Sequence, residues 1–145
     1  MPKKKTTNPD TKKTLNRQQQ RDLDVEIGFL EGLVKRDPSY VDALQLLGDD
    51  YTQRGKFQQG LQVDEKLAHI RPEDPMVQYN LACSYSLVGQ YEQAVSALDQ
   101  AIDRGYTDFR WLSEDPDLEA LRSQPEYKKI RAKVKAIKAT KSKIP

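Results

Sequence analysis

The chain has 145 residues, of which 37% are hydrophobic and 32% charged, so it is long enough for one domain with a modest core. Its single cysteine excludes an intramolecular disulfide framework, and its single histidine excludes a histidine-based metal cluster. The net charge of +2 is segregated, since residues 1–21 carry +6, residues 22–127 carry −12 and residues 128–145 carry +8.

The N-terminal part of the chain predicts a basic arm followed by a helix. Residues 1–14 are polar and basic, which predicts a disordered arm. No apolar segment follows this arm, which argues against a secretory signal, and no run approaches the ~18 apolar residues that cross a bilayer. We therefore expect a cytoplasmic protein.

Residues 15–40 predict one helix, equivalent to half a repeat, with a single apolar stripe. The stripe consists of Leu23, Ile27, Leu30 and Val34.

The central part contains one pattern twice, at a spacing of 34 residues. In each copy a large and a small apolar residue precede a tyrosine, a glycine, an aromatic residue and a second small residue. The glycine ends a first helix, and the small residues let a second helix pack closely against it. Residues 41–74 and 75–108 are therefore predicted to be two helix-turn-helix units. The aligned pairs are Leu47/Leu81, Gly48/Ala82, Tyr51/Tyr85, Gly55/Gly89, Phe57/Tyr91, Gly60/Ala94 and Leu61/Val95.

This pattern resembles the tetratricopeptide repeat (TPR) family, whose unit is about 34 residues long and closes with a proline, here Pro72. The resemblance covers roughly residues 41–108 and implies an all-α, right-handed solenoid of helix-turn-helix repeats with six or seven helices. Two positions depart from the family pattern. Asp64 replaces a large apolar residue and Tyr106 replaces the closing proline, so we expect looser packing at both positions.

The C-terminal part predicts capping helices, because two units leave an open apolar end and about three are normally needed. Residues 109–139 are assigned to this cap, with Trp111 covering the open end and helices beginning at Pro116 and Pro125. Residues 140–145 are predicted to be a basic tail.

A solenoid of this kind presents the first helix of each unit on its concave side, which makes that side a candidate ligand groove. In the family, an asparagine at the position of Asn80 often holds the main chain of a ligand. Tyr79 is of a residue type that is enriched at binding hot spots, and two aspartates favour a ligand with basic residues. The alternative is that these are ordinary surface residues. The candidate groove residues are Asp42, Gln45, Asp49, Met76, Tyr79, Asn80 and Cys83.

The sequence offers no candidate catalytic residues, since it has no Gly-rich phosphate loop, Ser/His/Asp set or paired-cysteine motif. We therefore expect a non-catalytic scaffold or adaptor, without cofactor or metal, that binds a protein, peptide or helix in the groove as a monomer or homodimer. The alternative hypothesis is a nucleic-acid- or ribosome-associated protein that acts through its basic arms. The lack of aromatic residues among the basic ones counts against that alternative. The arms are otherwise interpreted as solvated tails that balance the acidic body. A further alternative is that the C-terminal helix, which is basic with one apolar stripe, lies on an anionic membrane or docks on a partner.

Overall fold

The computed structural model describes residues 14–142, which form eight α-helices and contain no β-strand. The helices pack mainly against their neighbours in sequence, so this part of the chain is an all-helical solenoid of consecutive pairs. Two 3-10 turns, Pro116–Leu118 and Pro125–Tyr127, precede the last two helices. The helices are α1 (Arg17–Arg36), α2 (Val41–Gln53), α3 (Phe57–Ile70), α4 (Pro75–Leu87), α5 (Tyr91–Asp103), α6 (Phe109–Glu114), α7 (Glu119–Arg122) and α8 (Lys128–Ser142).

The fold class predicted from the sequence is confirmed, with one helix more than the six or seven expected. The additional helix is α6, which the sequence predicted only as a cover over the open end. Its N-terminus is capped by the side chain of Asp108, which accepts a hydrogen bond from the backbone N–H of Trp111 at 3.1 Å. Helix α8 runs to Ser142, three residues beyond the boundary expected at residue 139. Residues 1–13 and 143–145 of the predicted arm and tail lie outside the described residues.

Local sequence signals explain where the helices begin and end. Asn16 starts α1 with a capping box, in which its side chain accepts from the Gln19 N–H at 2.8 Å and the Gln19 side chain accepts from the Asn16 N–H at 2.9 Å. Gly55 and Gly89 follow α2 and α4 with φ of +83° and +80°, the left-handed conformation that glycine adopts without strain.

The buried side chains form two clusters along the solenoid. The N-terminal cluster joins α1, α2 and α3 to the start of α4 through Leu30, Leu44 and Val77, among others. The C-terminal cluster joins α4 and α5 to the segment that follows them. That segment contributes buried side chains of its own, so it is part of the core. These side chains are Leu112, Leu118, Leu121, Tyr127 and Ile130.

The looser packing expected at Asp64 and Tyr106 is not found. Asp64 is buried, and its carboxylate accepts a hydrogen bond from the hydroxyl of Ser84 on α4. Tyr106 is also buried and stacks on Tyr79, with ring centroids 4.3 Å apart and an interplanar angle of 11°. A polar contact and an aromatic stack therefore replace the apolar residue and the proline of the family pattern.

Candidate functional site

Helix α2 carries three of the predicted groove residues on the side opposite its buried stripe. Asp42 is exposed, whereas Gln45 and Asp49 are half-buried. Leu46 lies between them with 51% of its surface exposed. This helix therefore offers an acidic surface with one apolar side chain at its centre.

Helix α4 carries two further predicted groove residues, Met76 and Asn80, which are both half-buried. The helix is capped at its N-terminus, where the Asp74 side chain accepts hydrogen bonds from the backbone N–H groups of Met76 and Val77 at 2.9 and 3.4 Å. Asn80 occupies the position in the second unit that Leu46 occupies in the first. Its side-chain oxygen Oδ1 is buried and accepts no hydrogen bond from any described residue.

Two predicted groove residues, Tyr79 and Cys83, do not face an open surface. Both are 0% exposed. The 3-10 turn Pro116–Leu118 and α7 pack on α4 and cover this part of the predicted groove. The prediction treated the corresponding faces of both units alike, but only the second unit is followed by the C-terminal segment.

The covering segment is held by Asp115, which is itself buried. Its Oδ2 accepts hydrogen bonds from the Tyr79 hydroxyl at 2.6 Å and the Cys83 thiol at 3.7 Å. Its Oδ1 accepts from the backbone N–H of Asp117 at 2.9 Å, which starts the 3-10 turn. Burial, followed by the neighbouring Cys83 and Asp115, raises the pKa of Tyr79, so its hydroxyl remains a donor at physiological pH.

Ligand atoms of Cys83, Asp115 and Asp117 lie within 4.8 Å of one another, which is close enough to consider a metal ion. However, both carboxylate oxygens of Asp115 already accept hydrogen bonds within the chain. These hydrogen bonds join α4 to the C-terminal segment, because the Asp115 carboxylate accepts from a tyrosine and a thiol on α4 and from the backbone of the following turn.

A concave feature that sequence reasoning did not identify lies between α6 and α8. We call it the α6–α8 cleft; its volume is about 370 Å³. Apolar and cationic side chains alternate around it. The charges on α8 were visible in the sequence, but the opposing wall depends on how α6 docks. The lining residues are Phe109, Leu112, Ser113, Arg122, Tyr127, Arg131, Val134, Lys135 and Lys138.

The other side of α8 is bound to the acidic surface of α5. The ammonium group of Lys133 lies 2.5 Å from a carboxylate oxygen of Asp99 and 2.5 Å from one of Asp103. Lys129 lies 3.4 Å from Asp99. The hydrogen bond from Lys133 is the main cause that lowers the pKa of Asp99, and bonds to Asp103 and Asp99 raise the pKa of Lys133.

The described residues therefore form a helical-repeat fold, and the α6–α8 cleft is one of its concave features. No protein-family model matches the chain. Over 83 residues it is 35% identical to a chloroplastic protein of Arabidopsis thaliana, a match that covers 55% of this chain and 25% of that protein. Over 91 residues it is 34% identical to a peroxisomal targeting signal receptor of Komagataella phaffii, which covers 61% of this chain and 16% of the receptor. The chain therefore spans a quarter or less of the length of these curated relatives.

A receptor of Komagataella pastoris with the same name matches to the same extent, 34% identity over 91 residues. Among residues 14–142, no helix combines the length and apolar character that crossing a membrane requires.

Proposed function

We propose that this protein is a non-catalytic scaffold that binds a protein partner through the outward faces of α2 and α4. This surface, here called the α2–α4 face, holds an extended peptide or a helix of the partner. It consists of Asp42, Gln45, Leu46, Asp49, Met76 and Asn80.

The unpartnered side-chain oxygen of Asn80 is the observation that carries this proposal. A buried acceptor without a donor costs about 1–3 kcal/mol, so the unbound protein is less stable than it would be with this oxygen hydrogen-bonded. Oδ1 is shielded from the surface in the free protein, so the side chain must rotate outward before a backbone N–H of a bound peptide can donate to it. The amide N–H₂ of the same side chain is able to donate to a peptide carbonyl.

The remaining residues of the face indicate the chemistry of the partner. Asp42 and Asp49 favour a segment with lysine or arginine, and the exposed Leu46 favours an apolar side chain beside it. Tyr79 and Cys83 lie below the C-terminal segment, and their part in this proposal is to support the face from beneath.

The comparisons support a protein partner in general terms. Two of the relatives are by name receptors for a targeting signal, and their matches to this chain cover 61% of it. The hypothesis of nucleic-acid binding through the basic arms has less support. Lys129 and Lys133, two of the cations counted toward the C-terminal arm, are paired with carboxylates of α5.

The test is a selection of peptides from a displayed random library on the full chain, followed by calorimetric titration of the selected peptides. We expect peptides with a basic residue near an apolar one. Asn80→Ala is expected to weaken their binding by about tenfold, the value of a buried hydrogen bond. The matched control, Glu92→Ala on the exposed side of α5, should leave the affinity unchanged.

Thermal unfolding distinguishes a binding role of Asn80 from a structural one. Because Oδ1 has no partner in the described part of the chain, Asn80→Ala should leave the melting temperature unchanged or slightly higher. The proposal would be wrong if no peptide were enriched, or if the enriched peptides bound Asn80→Ala and Asp42→Ala/Asp49→Ala as tightly as the parent.

A further inference from the structure

We infer that the α6–α8 cleft is a second binding site, and that its ligand is an acidic peptide segment with one apolar anchor side chain. This site is separate from the α2–α4 face and has the opposite charge, so it goes beyond the function proposed above.

The shape and floor of the cleft suit an anchor side chain. Its volume of about 370 Å³ lies at the lower end of the range of ligand cavities, about 300–1,000 Å³. Leu112 and Tyr127 are buried at its base, while Phe109 and Val134 are half-buried at its walls. An aromatic or branched side chain placed here would lose contact with water on several sides, as hot-spot residues do.

The charge of the cleft is not balanced within the described part of the chain. Four cations line it, and none of the described residues that line it is acidic. No described carboxylate lies within ion-pair distance of Arg131, Lys135 or Lys138. Lys129 and Lys133 on the other side of the same helix are both paired. Carboxylates of α5 therefore neutralise the lysines on one side of α8. The cations on the cleft side remain available to an anion from outside the chain.

Two of the cations are held in place before any ligand arrives. The guanidinium of Arg122 donates from one nitrogen to the carbonyl oxygens of Leu112 at 3.0 Å and Asp115 at 2.9 Å. Arg131 donates to the carbonyl oxygen of Arg122, and its guanidinium lies 4.8 Å from the centre of the Tyr127 ring. These bonds fix both side chains without cancelling their charge, which lowers the entropy cost of binding a carboxylate.

The arrangement of the charges favours a peptide over the other anions of the cell. Arg131, Lys135 and Lys138 form a row along α8 that is about 10 Å long, given a rise of 1.5 Å per residue. Carboxylates at alternate positions of an extended chain lie on one side about 7 Å apart, so two of them fit along such a row. A single-stranded nucleic acid would also stack its bases on exposed aromatic faces, but Tyr127 is buried under Arg131 and Phe109 is half-buried. A membrane would need protruding apolar side chains, whereas these are recessed.

The experiment is a fluorescence anisotropy titration of the full chain with a labelled synthetic peptide of glutamates around a central phenylalanine. We expect saturable binding that weakens by about tenfold in Lys135→Ala/Lys138→Ala, because two charge contacts are lost. The control variant, Lys35→Ala/Lys66→Ala, removes the same charge from exposed positions on α1 and α3 and should change the affinity less than about twofold. All four lysines are exposed, and thermal melting will verify that both variants fold like the parent.

Two further probes separate this site from diffuse charge attraction. A peptide with alanine in place of phenylalanine should bind at least about tenfold more weakly, because the anchor no longer fills the cleft. Equal binding of the two peptides, or equal loss in the two double variants, would overturn the inference. Tighter binding of a single-stranded oligonucleotide or of anionic phospholipid vesicles at matched charge would also overturn it.

Discussion

At the scale of single residues, the same repeat position carries a small residue in both units, but the neighbouring side chains that require it differ. A Cβ atom on Gly48 would lie 3.1 Å from Oδ1 of Asp64 and 3.4 Å from a methyl of Val63. The equivalent position in the second unit is Ala82, where the partner equivalent to Asp64 is Leu98. The repeat pattern predicted a small residue at both positions, but it could not predict that a buried carboxylate makes one of them a glycine.

Gly28 contrasts with Gly48 and allows a prediction of stability. It lies inside α1 on an exposed face, and a Cβ atom there would meet nothing within 4 Å. Glycine within a helix is less favourable than alanine by roughly 0.5–1 kcal/mol, mainly through its greater freedom in the unfolded chain. We therefore expect Gly28→Ala to raise the free energy of unfolding by this amount and the melting temperature by about 2–5 °C.

Thermal melts followed by circular dichroism will measure this effect, with Gly48→Ala as the matched comparison. The second variant should be less stable than the parent, because the new methyl group would press on a buried carboxylate held by Ser84. A lower melting temperature for Gly28→Ala would contradict the view that this face of α1 is free of close contacts within the chain.

At the scale of elements, α8 shows what a sequence can and cannot indicate about a helix. Helical periodicity places Ile130, Val134 and Ile137 on one side of this helix, and all three belong to the C-terminal cluster or pack against it. The pairing of Lys133 with Asp99 was not predicted, because these residues are 34 positions apart and meet only when α8 docks on α5. Periodicity therefore predicts the buried face of a helix, but not which charges its flanks will meet.

This ion-pair cluster predicts a pH dependence of stability. Folding lowers the pKa of Asp99 below its usual value of 3.8, mainly through the hydrogen bond from Lys133. The resulting stabilisation is therefore complete above pH 3.8 and is lost as the pH falls through the lower value of the folded state. The pKa of Lys133 is raised above 10.5, so its contribution is complete below pH 10.5 and is lost at higher pH.

The test compares the parent with Asp99→Asn in urea unfolding at neutral and acid pH. At neutral pH we expect the variant to be less stable by about 1 kcal/mol, the upper range for a pair that is partly open to solvent. In acid this difference should shrink toward zero, because Asp99 is then protonated in the parent as well. Glu92→Gln on the same helix is the control, and an undiminished difference in acid would contradict the assignment.

At the scale of the whole molecule, the C-terminal segment closes the solenoid and decides which groove residues remain accessible. The sequence predicted the repeats and the existence of a cap, because both follow from periodicity and from the need to cover an apolar end. It could not predict that the cap would bury Tyr79 and Cys83. That outcome rests on Asp115, which lies 36 residues from Tyr79 in an irregular connection outside the repeat.

The thiol of Cys83 offers a direct measure of how firmly this segment is closed. It is not part of a disulfide and is fully buried beneath the segment, so a thiol reagent can reach it only when the structure opens. If opening requires global unfolding, with a free energy of at least about 5 kcal/mol, labelling should be slower than in the unfolded chain by more than about a thousandfold.

Asp115→Ala should accelerate this labelling because it removes the acceptor of Tyr79 and the cap of the following turn, together worth about 2–4 kcal/mol. Glu114→Ala, which loses only an exposed pair with Arg110, should label like the parent. Fast labelling of the parent protein would show instead that the segment opens without unfolding the solenoid. Tyr79 and Cys83 would then be accessible to a partner, and the predicted groove would extend along the whole of α4.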